Sequence, residues 1–134
     1  MKKILLSLLL LSSLSGCSTL TYGEKATLRQ LEINGITIDQ GSKYYEKPAS
    51  PLAAGLLNVL PGFGNFYLAM GDGGASEHFL FGFANLLWWP ISAVWAIPEG
   101  AIDADNINKR ELVYYYKFNP RGKKELEEKG ITLE

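Results

Sequence analysis

Residues 58–74 read NVLPGFGNFYLAMGDGG, an apolar stretch punctuated by Pro61 and by glycines. All but its last three residues lie in a run, residues 48–71, without one charged side chain. A second uncharged run covers residues 79–98, and the short polar connector GDGGASEH (residues 71–78) joins the two. Nearly all the charge sits in the flanks, residues 24–47 and 99–134. Two uncharged stretches of about 20 residues with a tight Gly-rich connector predict a helical hairpin. In the first arm, residues 48–70, Pro51 suits a first helical turn, where its missing N–H costs nothing. Pro61-Gly62 then removes a backbone hydrogen bond and crowds the preceding turn, so a kink or two short helices are expected. The second arm, HFLFGFANLLWWPISAVWAIP (residues 78–98), has Pro90 inside and Pro98 at its end. Its Trp pair is odd for a straight spanning helix and natural for a bent or interfacial one.

The beginning of the chain carries a different signal. MKKILLSLLLLSSLSGC has Lys2 and Lys3, an apolar run and a small-residue end, the layout of a secretory signal. The run is too short to span a bilayer. Leu14-Ser15-Gly16-Cys17 resembles the lipobox of bacterial lipoproteins. That resemblance implies cleavage after residue 16 and acylation (palmitate) of Cys17, the lipidation site. Ser18, rather than Asp, implies sorting to the outer membrane, facing the periplasm. Cys17 is the single cysteine, so no intramolecular disulfide and no thiolate metal cluster can form. With 13 basic against 14 acidic residues and no basic stripe, nothing suggests a nucleic-acid partner.

Two readings of the hairpin stay open: a membrane element that spans or lies on the bilayer, or the core of a small lipid-tethered soluble domain. The flanks offer little apolar surface to cover two greasy helices, which favours contact with membrane or partner. The expected contact residues are Phe63, Phe66, Tyr67, Phe79, Phe81, Phe83, Trp88, Trp89 and Trp95. Asn58, Asn65 and Asn85 are the expected interhelical polar contacts, because an amide in an apolar setting needs a partner. LPGFGNFYLA (residues 60–69) resembles the Pro-Gly-x-Gly-Gln-x-Tyr-x-Gly signature of small two-helix membrane modules, including TM2-like domains. Asn65 stands where that signature has Gln and Ala69 where it has the last Gly, and the His-Arg pair is missing. The resemblance implies glycines that permit a tight bend and close backbone approach. The order of parts is also similar to that of small bacterial lipoproteins, a likeness that brings no activity.

The flanks hold a repeat. LRQLEINGITID (residues 28–39) and KKELEEKGITLE (residues 123–134) are identical at Leu31/Leu126, Glu32/Glu127, Gly35/Gly130, Ile36/Ile131 and Thr37/Thr132. Each reads as a short helix ended by a Gly cap and a β-prone step. Duplication and convergence explain it equally well. If the hairpin doubles back, both copies lie on one side and can pack together. ELVYYYKF (residues 111–118) is β-branched and aromatic and precedes an Asn-Pro turn, a candidate strand. Asp103, Asp105, Asn106 and Asn108 miss the EF-hand pattern, which needs Asp or Asn at its fifth position and Gly at its sixth; a helix end running into a turn is expected instead. His78 is the single histidine and lies near Asp72, Ser76 and Glu77, with no nucleophile-elbow or oxyanion motif.

The sequence thus predicts a mainly α chain: signal peptide 1–16, polar segment 17–47, hydrophobic helical hairpin 48–100 and polar segment 101–134. A small β element is expected near the C-terminus. The expected function is that of a non-enzymatic envelope lipoprotein without cofactor or metal. Its expected partners are membrane lipid and a second copy or an envelope protein. The alternative is a soluble periplasmic accessory subunit docking through its aromatic surface.

Overall fold

The computed structural model describes residues 19–40, 42–71 and 76–133. The fold is mainly α: six helices and no strand among the described residues. They are α1 (Tyr22–Ile33), α2 (Pro51–Leu57), α3 (Phe63–Met70), α4 (His78–Leu87), α5 (Ala93–Phe118) and α6 (Pro120–Glu128).

Local chemistry sets most of the ends. Thr21 and Glu24 close a capping box at the start of α1, with the Thr21 N–H donating to Glu24 Oε2 at 2.6 Å. Ser50 caps α2 and Pro51 occupies its first position. Asn119 caps α6, followed by Pro120. Gly62, at φ +76°, turns the chain from α2 into α3. The second arm breaks as well, between Leu87 and Ala93, where the Ser92 hydroxyl donates to the Asn85 carbonyl at 2.7 Å.

The two flanking copies end their helices identically. Gly35 (φ +78°) donates to the Glu32 carbonyl and Ile36 to that of Leu31; Gly130 (φ +68°) donates to Glu127 and Ile131 to Leu126. These are the paired bonds of a Schellman cap. Both caps then feed one core: Leu28, Leu31, Ile36 and Leu126 pack with Leu112, Val113 and Tyr116 of α5, and Ile131 joins at the margin.

The spine is α5, about 39 Å long for its 26 residues. Its far half belongs to the core just described. Its near half packs on α2 through small residues, and a second cluster of Ala49, Ala54, Leu68, Ala104 and Ile107 lies between them. Residues 42–50 strap the two halves together. Asn108 donates to the Ala49 carbonyl and accepts from the Ala49 N–H, and the Tyr45 hydroxyl donates to the Asn108 carbonyl at 2.6 Å.

Three expectations are corrected. Residues 111–118 are helical, not a strand: they extend a buried stripe, Ala104, Ile107, Asn108, Leu112, Val113 and Tyr116, whose spacing is helical. Pro98 does not end its helix. It forgoes a single bond, to the Val94 carbonyl, while that same stripe continues past it. Finally, 103–108 is mid-helix rather than a helix end or turn. Residues 131–133 have no regular secondary structure, and the β-prone steps build no sheet among the described residues.

Candidate functional site

The junction of α2, α3 and α5 is built around Asn58. Its Nδ2 donates to the Ala96 carbonyl at 2.7 Å; its Oδ1 accepts from the Gly64 N–H at 2.9 Å and the Asn65 N–H at 3.3 Å. One side chain therefore caps the uncapped start of α3 and ties it to α5. The glycines make room for it. A Cβ at Gly64 would stand 2.1 Å from the Ala54 carbonyl oxygen, and one at Gly100 would stand 2.5 Å from Asn58 Nδ2. Gly62 and Gly82 admit the contact of α3 with α4: a Cβ at Gly62 would meet the Gly82 carbonyl at 2.1 Å, and one at Gly82 the Phe66 ring at 2.5 Å.

The three expected polar contacts thus differ. Asn58 bridges three helices. Asn65 is buried and meets Asn58 through its backbone, while its Nδ2 has no hydrogen-bond partner. Asn85 spans the second break, accepting from Trp95 Nε1 at 3.2 Å, apart from the other two.

Burial and polarity run opposite to each other in this region. The α4 residues turned inward are His78, Gly82 and Asn85; those turned outward are Phe79, Leu80, Phe83, Leu86 and Leu87. In α2 and its following turn, Ala54, Gly55 and Asn58 are buried while Leu52, Leu56, Val59 and Leu60 are exposed. The entry to α5 repeats the pattern, with Ser92, Ala96 and Gly100 inside and Ile91, Val94 and Ile102 outside. Exposure reaches 73% at Leu52, 79% at Val94 and 82% at Leu87. The flanking helix α1 is closer to ordinary: it buries Leu28 and Leu31 together with Glu24 and Thr27, and exposes Lys25, Arg29 and Glu32, with Tyr22 and Ile33 exposed at its two ends.

Of the expected contact residues, Phe63, Phe79, Phe83, Trp88, Trp89 and Trp95 are exposed. Phe66, Tyr67 and Phe81 are half-buried. Phe66 is the hub of a ring cluster, edge-on to Phe63 at 6.2 Å and to Phe83 at 5.3 Å. The Tyr67 hydroxyl accepts from the Ser50 N–H, and the Phe81 ring lies 6.0 Å from His78. Reading by aromatic residue type missed the leucines and valines that complete this surface. A count of outward positions along α4 would have found them.

His78 lies away from Ser76 chemistry. It is fully buried with Nδ1 3.9 Å from Asp103 Oδ2, and neither ring nitrogen has a hydrogen-bond partner among the described residues. Burial pushes the imidazole pKa below the ordinary histidine value, and the Asp103 charge only partly opposes this. Asp105 pairs with Lys109 at 2.7 Å, one helical turn on. Among the described residues, no three His, Cys, Asp or Glu side chains gather as metal ligands, and no helix is long and apolar enough to cross a membrane. Cys17 and Asp72 lie outside the described residues. Comparison with family models, curated proteins and solved structures gave no match.

Proposed function

We propose that the chain is a non-enzymatic envelope lipoprotein, anchored through acylated Cys17 at the periplasmic face of the outer membrane. In this reading the two uncharged stretches act together as a hydrophobic helical hairpin that contacts the bilayer. The observation that carries it is the inverted patterning between Leu52 and Ile102, with Asn, Ser, His and small Gly and Ala inside and most Leu, Phe, Trp and Val outside, Leu68 being the buried exception. In water such a surface is costly; against hydrocarbon it is favourable, while the buried amides find partners within the protein.

Helix length supports a shallow position. α2, α3 and α4 have 7, 8 and 10 residues. That is about 10–15 Å each, against about 30 Å for a hydrocarbon core. A hairpin broken in both arms suits one leaflet, with Trp88, Trp89 and Trp95 in the headgroup layer. The sealed imidazole of the single histidine supports a role without catalysis.

The test is flotation of the mature chain, exported behind a cleavable non-lipoprotein signal with Cys17→Ala, on phosphatidylethanolamine–phosphatidylglycerol vesicles. It should float and resist salt extraction, and mass spectrometry of the unaltered protein should show an acyl mass on residue 17. A monomer freely soluble in buffer would overturn the membrane reading. The preformed Phe63–Phe66–Phe83 cluster favours one alternative, a periplasmic accessory subunit docking by its aromatic surface. A soluble chain that co-purifies stoichiometrically with a larger envelope complex is the outcome expected there.

A further inference from the structure

At the wet end of the molecule, residues 44–48 cross α5 and leave a cleft of about 680 Å³. Tyr44, Tyr45 and Glu46 line it from the strap, and Glu111, Tyr114 and Phe118 from α5. Tyr114 and Phe118 are one helical turn apart, edge-to-face at 5.8 Å, and both are exposed. Tyr45 is fixed by its bond to the Asn108 carbonyl. The Tyr44 ring already carries the Arg121 guanidinium, so the ring faces left uncovered in the cleft are those of Tyr114 and Phe118.

Its unpaired charge is acidic. Lys47, which also lines it, is paired with Asp39. Of the guanidinium groups nearby, Arg110 bonds Glu24 at 3.3 Å and the Thr19 carbonyl, and Arg121 lies over the Tyr44 ring at 5.8 Å. Among the described residues, neither Glu46 nor Glu111 has an ion-pair partner. Glu111 is half-buried, and desolvation raises its carboxyl pKa despite the pull of Arg110. A carboxylate withdrawn from water without a cation, beside electron-rich ring faces, is half of a recognition site. A hydrated metal ion would gain little from the rings. A cation on an apolar stem would gain from both.

We propose that this cleft is a binding site for an organic cation, an ammonium or guanidinium head on a short hydrocarbon stem. Glu111 and Glu46 supply the counter-charge, and Tyr114 and Phe118 hold the stem and the cation against their faces. A free amine and a lysine or arginine side chain of a polypeptide carry the same chemistry. The site stands apart from the apolar hairpin surface and does not depend on how that surface is used.

The experiment is an amide-shift titration of the full labelled chain in uncharged maltoside micelles. The probes are n-butylammonium, Nα-acetyl-lysine methylamide and, as neutral control, n-butanol. Saturable shifts confined to residues 44–47 and 111–118 are expected with the cations and not with butanol. Glu111→Gln should weaken them about tenfold. Tyr114→Leu should weaken them too, Tyr114→Phe should not, and the rest of the spectrum should stay in place in all three. Tighter binding of the lysine derivative than of the free amine assigns the cation to a polypeptide; the reverse assigns it to a small amine. Equal shifts with butanol, or no saturable shift with either cation, overturn the proposal.

Discussion

Asn58 concentrates more of the fold in one side chain than any apolar residue near it. Two groups, the Gly64 and Asn65 N–Hs at the start of α3, have their bonds through it, and it adds a second bond to the Ala96 carbonyl inside α5. Asn58→Ala leaves the two N–Hs buried without partners, at about 1–3 kcal/mol for each group so stranded. A clear fall in the denaturation midpoint is expected, larger than for Asn65→Ala, whose amide nitrogen is already unpartnered. His78 makes a different prediction. Its folded-state pKa lies below its unfolded value, so the unfolded chain takes up a proton first. The stability associated with the neutral imidazole is present above the ordinary histidine range and is lost as pH falls through the folded pKa. Thermal melts across that range should show this loss, and His78→Phe should flatten it. The Asn58 junction was partly legible: an amide amid apolar residues demands a partner. Asp103 as the neighbour of His78 was not, since 25 positions separate them and helix α5 alone brings them together.

At the scale of elements, the caps were the most legible part, because their chemistry is local. Ser50-Pro51, Pro61-Gly62, Gly35 and Gly130 each mark a boundary that follows from backbone geometry at that residue. The reach of α5 was hidden for the opposite reason. Val113 and the three tyrosines favour a strand in isolation, and Pro98 disfavours a helix, yet tertiary burial of one stripe outweighs both. The matched caps allow a controlled measurement. A Cβ at Gly35 or Gly130 meets nothing within 4 Å, so Ala substitution costs only the left-handed backbone, about 1–2 kcal/mol. Gly35→Ala and Gly130→Ala should lower stability by similar amounts, and Asn at either site should recover part of the loss. Chemical denaturation of the four variants checks this. A large inequality would mean that the two copies, alike in hydrogen bonding, are unequal in energy.

For the whole molecule, the decisive contrast is between exposed apolar residues at opposite ends. Leu87 is 82% exposed on the inverted half, and Phe118 is 68% exposed on the ordinary half. If only the first meets lipid, Leu87→Glu should impair vesicle flotation, the penalty approaching roughly 2.5–3.5 kcal/mol at full depth. Phe118→Glu should leave flotation unchanged. Equal loss in both variants would show that general hydrophobicity, rather than this face, drives association.

The continuity of α5 has a consequence for how such a chain can be altered or inherited. One rod turns Val94, Trp95 and Ile102 outward in its first half and Ile107, Leu112, Val113 and Tyr116 inward in its second. Nothing along it marks a seam where the greasy half could be detached and grafted elsewhere. Adding a single residue near Asn106 would rotate everything beyond it by about 100° and set the two halves out of phase. Adding seven, close to two full turns, would nearly restore the phase and only lengthen the molecule. Viable length changes in this rod should therefore come in near-multiples of its pitch, and its two halves should be lost or kept together.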